Sequence, residues 1–129
     1  MDDFYSLERL EVFQIANEIG DIIWTEDAKW SYFEKDTIGK QFVRSADSIS
    51  ANIAEGYGRY FFKENIQFCY YSRGSLLETK VWLLKTKSRN LIEKDKFDEL
   101  NEKVDLLLKK LNGYISYLKR NLEVNKHNN

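Results

Sequence analysis

Ser45, Ser48, Asn52 and Glu55 recur at spacings of three and four, with Arg59 one turn further on. On a helix that spacing lines up hydroxyl, amide, carboxylate and guanidinium groups along one side. Such a line can do acid–base or nucleophilic chemistry only beside a suitable base or nucleophile. The sole histidine, His127, lies in the polar C-terminal tail, and the sole cysteine, Cys69, sits among apolar and aromatic residues. A Cys–His pair would require the tail to fold back onto the middle of the chain. Carboxylate-bridged metal pairs in helical proteins use Glu-x-x-His motifs on inner faces, and none is present. One Cys and one His fall short of a zinc set. Gly56-Tyr57-Gly58-Arg59 follows a helical pattern, not a strand, and so is no phosphate loop. The chain reads as a non-enzyme, with no catalytic residue, metal or cofactor expected.

Two other roles remain for the polar residues. The stripe is either a solvated face or a helix–helix contact, with small Ser45, Ser48 and Ala51 admitting a close neighbour. The contact reading is preferred, and it asks for partners to Asn52 and Glu55 such as Arg44, Arg59, Arg73 or Ser75. Glu78, on a line with Tyr71 and Trp82, raises the same question. Polar contacts of this kind serve the specificity of pairing, including subunit pairing, more than stability. The second role belongs to Lys40, Arg44, Arg59, Lys63, Arg73 and Lys80, interleaved with Tyr57, Tyr60, Phe61, Tyr70 and Tyr71. Cations beside aromatic rings suit RNA or DNA, tracking phosphates while rings stack on bases. The plain alternative is aromatics in the core and lysines on a solvated surface.

The elements that must position these groups are helical. With 129 residues the chain is one domain, without proline and with six glycines, so turn punctuation is sparse. Apolar periodicity places helices over about 6–30, 38–56, 63–89 and 95–122. Ser6 is expected to cap the first, and Asp36 or Thr37 the second. Gly56 and Gly58 are expected to end the second helix in left-handed backbone. On the third helix Ile66, Tyr70, Gly74, Leu77, Val81 and Leu84 form the expected apolar line. Gly74 costs about 1 kcal/mol relative to Ala there, for which close approach of another helix is the expected reason. On the fourth, Phe97, Leu100, Val104, Leu107, Leu111, Tyr114 and Leu118 keep a heptad rhythm. Short loops then imply an all-α, antiparallel up-down four-helix bundle over residues 1–124, with 125–129 a disordered tail. Trp30, Tyr32 and Phe33 are expected to lie over one end of it.

Charge is uneven: residues 1–36 carry net −7, residues 37–90 net +5, and the whole chain −1. That asymmetry is expected either to be neutralised within the bundle or to serve head-to-tail self-association or polyanion binding. The acidic N-terminus and the lack of a long apolar run make a membrane association unexpected and a cytoplasmic location expected.

The stretch Ser45-Ala46-Asp47-Ser48-Ile49-Ser50-Ala51-Asn52-Ile53-Ala54-Glu55-Gly56-Tyr57-Gly58-Arg59 closely resembles the signature of the bacterial four helix bundle protein family. Those proteins are also described as encoded in intervening sequences of 23S ribosomal RNA genes. Gly74-Ser75-Leu76-Leu77-Glu78-Thr79 and Leu10-Glu11-Val12-Phe13 resemble two further family elements, and the likeness runs from about residue 8 to 120. Two departures stand out: Ser50 where proline is frequent, and Val43 where a second arginine is common. The resemblance implies bundles that assemble into rings, with a homopentamer favoured. It is similar to that of the accessory variability protein of diversity-generating retroelements, which binds nucleic acid and partners a reverse transcriptase. It implies packing or subunit contact for Arg44, Asn52, Glu55, Gly56, Arg59, Gly74, Ser75 and Glu78, a role the polar stripe suggests for Ser48 as well. The function expected is sequence-tolerant binding of RNA or DNA by the basic surface of helices 2 and 3. The alternative is a protein-binding scaffold or accessory subunit for a reverse transcriptase or other partner.

Overall fold

The computed structural model describes residues 7–128, with side chains through Glu123, and is helical, without a strand among the described residues. Four long helices carry the fold: α1 (Glu11–Asp27), α2 (Lys40–Tyr57), α3 (Phe62–Ser88) and α4 (Lys94–Asn128). α1 buries Val12, Ile15, Ala16, Ile19, Gly20 and Ile23, one stripe of its surface. It starts after extended Leu10 with no side-chain cap, and the Ser6 expected there lies outside the described residues. α4 buries Phe97, Leu100, Val104, Leu107, Leu111, Ile115 and Leu118. The heptad is as read, except that Ile115 takes the buried place and Tyr114 is half-buried. The backbone of α4 continues to Asn128, past Leu122 where the apolar rhythm ends.

The run into α2 begins earlier than its apolar stripe implies. Ser31 and Glu34 form a capping box: the Glu34 amide donates to Ser31 Oγ (3.2 Å) and the Ser31 amide to Glu34 Oε1 (2.9 Å). The helical turn Tyr32–Glu34 passes through a π-helical stretch, Lys35–Gly39, directly into α2. Asp36 and Thr37 therefore lie inside the helical run and cap nothing; Thr37 Oγ1 donates back to the Phe33 carbonyl at 2.7 Å. Of the three aromatics expected over the end, Trp30 alone is buried. Its ring stacks on Phe42 at 6.3 Å, and its Nε1 donates to the Leu91 carbonyl at 2.9 Å. Tyr32 and Phe33 point to solvent. Trp30 can be buried because the Leu91 carbonyl satisfies its N–H.

The glycine stop of α2 is also not left-handed. Gly58 caps it at φ −79°, and the one described non-glycine residue at positive φ is Asn90 (φ 57°). There the Leu91 amide donates to the Thr86 carbonyl (2.8 Å) and the Asn90 amide to Lys87 (3.1 Å). These are the two bonds of a Schellman end, which turns α3 tightly toward α4.

α1 packs on α2, α2 on α3, α3 on α4, and α4 on α1. Cross-helix pairs run in opposite senses. Glu11 and Glu18 meet Lys110 and Lys103, each at 3.0 Å. Ser45 and Ser48 meet Thr79 and Ser75, and Arg73 and Lys80 meet Asn112 and Asp105. Phe42, Ile49, Ile53, Leu76, Leu83, Leu100 and Leu107 fill the space between. No described helix is long and apolar enough to cross a membrane.

Candidate functional site

The expected polar stripe sits beside a seam that sequence reading missed. α3 buries Cys69, Leu76 and Leu83 at seven-residue intervals, and Asn65, Ser72, Thr79 and Thr86 at the same interval beside them. The second row is polar, yet each hydroxyl has a partner. Ser72 Oγ donates to the Ile49 carbonyl of α2 at 2.8 Å. Thr79 Oγ1 lies 3.0 Å from Ser45 Oγ and 2.8 Å from the Ser75 carbonyl, and Thr86 Oγ1 bonds back to Leu83. Small side chains with satisfied hydroxyls bury at low cost and let two helices come close. At Gly56 the two helices are in close contact: a Cβ there would stand 2.7 Å from Asn65 Oδ1, 2.8 Å from Phe68 Cβ and 3.0 Å from the Asn65 carbonyl. The close approach expected at Gly74 is thus found at Gly56, while Gly74 is exposed with nothing within 4 Å of its missing Cβ. The sequence signal for this seam was present as the strict seven-residue recurrence, which apolarity alone does not register.

The remaining stripe residues divide. Ser48 Oγ meets Ser75 Oγ at 3.2 Å, and Asn52 Nδ2 donates to the Ser48 carbonyl at 2.9 Å, within its own helix. Glu55 is exposed and pairs with Arg59 at 3.1 Å; Glu64 at the start of α3 pairs with the same guanidinium at 3.5 Å. Arg59 also lies 4.8 Å above the Phe68 ring. Glu78 is exposed and accepts from Trp82 Nε1 at 3.0 Å. Among the cations, Lys40 pairs with Asp36 (3.1 Å) and Lys80 with Asp105 (2.9 Å). Arg73 reaches α4, donating to Asn112 Oδ1 at 2.8 Å. Arg44 and Lys63 are exposed and have no ion pair among the described residues. Lys40, Arg59 and Lys80 are thus paired with carboxylates, while Arg44, Lys63 and Arg73 have no carboxylate partner among the described residues.

Burial pushes the Cys69 thiol up to about 12, so at neutral pH it is no thiolate nucleophile. Burial likewise pushes Tyr114 up to about 12, against the opposing hydrogen bond from Asn65. Among the described residues no three His, Cys, Asp or Glu side chains are grouped to hold a metal ion.

The outward side of α3 is the other unusual feature. Leu77, Val81 and Leu84, read from the sequence as core, are 50, 48 and 48% exposed. The core side is already filled by the Cys69–Leu76–Leu83 row and its hydroxyl companions, so α3 carries a second apolar stripe turned to solvent.

The sequence model of the 23S rRNA-intervening sequence proteins matches residues 8–113. The chain belongs to that family. The matched span takes in α1, α2, α3 and most of α4, including the hydroxyl seam and Gly56. A crystal structure of a protein of unknown function from the S23 ribosomal protein family of Bacteroides thetaiotaomicron is similar in fold. It is 22% identical, has a TM-score of 0.72, and the alignment covers 81% of this chain and 97% of that one. No curated protein matches the chain.

Proposed function

We propose that this member of the 23S rRNA-intervening sequence protein family is a non-enzymatic, cytoplasmic, antiparallel up-down four-helix bundle that assembles with its own copies into a ring, a pentamer by its resemblance. The bundle topology rests on cross-helix pairs that run in opposite senses around four helices packed in a cycle. The observation that carries assembly is the outward stripe of α3. Gly74, Leu77, Val81 and Leu84 recur at three and four residues, the rhythm of a helix seam. Scattered exposed leucines need no explanation, but a heptad line beside a glycine with open space does. A heterologous contact between this stripe and a different patch of the next copy closes into a ring when the rotation allows. Light scattering at micromolar concentration is expected to give an oligomer, and Val81→Lys a smaller species. A monomeric wild-type protein sinks the proposal. Recovery of a stoichiometric protein partner that masks Val81, with no self-association, would favour the scaffold or accessory-subunit reading instead.

Nucleic-acid binding is the second reading, favoured by cations without carboxylate partners among the described residues, Arg44, Lys63 and Arg73, and by the exposed rings of Tyr60 and Phe61. Its mechanism is phosphate contact with counterion release, so affinity for RNA or DNA is expected to fall steeply with salt. An affinity that stays flat from low to physiological salt would refute it.

A further inference from the structure

A group of cations without carboxylate partners among the described residues lies at one end of the α3–α4 pair. Segments 65–77 of α3 and 106–122 of α4 contain no Asp or Glu, yet hold Arg73, Lys109, Lys110, Lys119 and Arg120. Of these, Lys110 alone has an ion pair among the described residues, with Glu11 at 3.0 Å. Elsewhere on α4 the rule is reversed: Lys103 is matched by Glu18, and Asp105 by Lys80. Two of the unmatched cations converge on one ring. Arg73 Cζ lies 5.0 Å and Lys119 Nζ 5.4 Å from the centroid of Tyr70. The second group holding Arg73 is the neutral amide of Asn112, not a carboxylate. Two like charges gathered at one aromatic ring, in a stretch without acids, are stabilised by an anion placed between them.

We propose that the α3–α4 face around Tyr70 binds the phosphodiester backbone of single-stranded nucleic acid. The proposal rests on the nucleic-acid reading above and moves its site from the α2–α3 surface to Tyr70, Arg73, Lys109, Lys119 and Arg120. A chain is favoured over a small phosphate because the cations extend along α4 from Lys109 to Arg120, about 16 Å of helix at 1.5 Å per residue. A single strand is favoured over a duplex because the cations lie along one helix, which suits one flexible backbone rather than the two fixed backbones of a duplex.

The test is fluorescence anisotropy with a labelled single-stranded 20-mer, as RNA and as DNA, and a duplex of the same length. Three proteins are compared: wild type, Arg73→Gln/Lys119→Gln, and Arg44→Gln/Lys63→Gln as the control on the α2–α3 side. The first double variant is expected to lower single-strand affinity about tenfold or more at low salt. It should also shrink the slope of log K against log salt by about 1.4, two phosphate contacts at about 0.7 each. The control variant is expected to stay within about twofold of wild type, and the duplex to bind more weakly than the single strand. Lys119→Gln alone, at an exposed position, keeps the test open if the double variant misfolds, with a slope change of about 0.7. Full binding by Arg73→Gln/Lys119→Gln beside lost binding by the control overturns the site and leaves the broader reading standing. No binding by wild type at low salt overturns the broader reading itself. Displacement of the 20-mer by millimolar inorganic phosphate as readily as by unlabelled strand overturns the polymer and leaves a small-anion site. Loss of assembly in Lys119→Gln with nucleic-acid binding unchanged overturns the proposal by assigning these cations to a neighbouring copy.

Discussion

Exchanging two glycines for alanine separates the two kinds of close space in this molecule. In a helix interior Ala is favoured over Gly by about 1 kcal/mol, so each exchange begins with the same gain. At Gly74 nothing lies within 4 Å of the new Cβ, and the gain is expected in full. At Gly56 the Cβ would meet three atoms at 2.7 to 3.0 Å, one of them the Asn65 carbonyl. Favourable carbon contacts lie near about 3.5–4.0 Å, so α3 must retreat by roughly 0.5–1 Å or the contact stays repulsive. Overpacking of this kind costs about 1–3 kcal/mol, which outweighs the propensity gain at its centre. The retreat would also strain the Ser72–Ile49 bond two turns away. Gly56→Ala is therefore expected to lose about 1 kcal/mol net, and Gly74→Ala to gain about 1 kcal/mol. Urea unfolding followed by circular dichroism, at two protein concentrations to separate folding from assembly, measures both. A Gly56→Ala protein as stable as wild type would refute the close approach of α2 and α3. A clear loss in Gly74→Ala at the lower concentration would refute the open space.

Thr79→Val removes the hydroxyl from the buried seam while nearly keeping its shape, and is expected to cost about 1 kcal/mol by leaving Ser45 without its cross-helix partner; an unchanged denaturation midpoint would refute that. Asp27 has one buried oxygen without a hydrogen bond, and burial raises its carboxyl pKa against the opposing pull of Lys35. A carboxyl raised in the folded state lends stability below its unfolded pKa and loses it as pH rises through the folded one. Asp27→Asn is thus expected to raise the melting temperature at neutral pH, with the gain shrinking as pH falls toward the ordinary carboxylate range; a gain constant with pH would count against this account. Cys69, buried with its thiol pushed up, is expected to react with a thiol reagent only at the rate of unfolding; rapid labelling of the native protein would show that α3 opens locally.

The sequence displayed α1 and α4 plainly because their buried residues, Glu26 excepted, are apolar and recur at helical spacing. α3 was legible as a helix, but its orientation was not. Apolarity pointed to Leu77, Val81 and Leu84, whereas the buried row pairs Cys69, Leu76 and Leu83 with Ser72, Thr79 and Thr86. Hydroxyls that donate to helix carbonyls pass for surface residues in any polarity reading, and only their seven-residue recurrence betrays them. The beginning of α2 was misplaced for a related reason. Ser31 and Glu34 form a capping box before the apolar stripe starts, so the cap and the stripe gave two different boundaries. Which of the candidate cations pair with Asp36, Glu55, Glu64 and Asp105 is a matter of three dimensions. The unmatched group on α4 became visible only once α3 and α4 were laid side by side.

The π-helical stretch Lys35–Gly39 has a consequence for how the chain tolerates changes of length. Each residue added to or taken from an α-helix turns everything beyond it by about 100°. Inside α2 such a change would carry Phe42, Ala46, Ile49 and Ile53 off the core. The wider turn of Lys35–Gly39 holds a surplus residue between two ends fixed independently, the Ser31 cap and the buried Phe42. Deletion of one residue there can relax the stretch to ordinary α-helix without shifting either end out of phase. In evolutionary terms it is a seam where relatives can differ by one residue with no loop to absorb the difference.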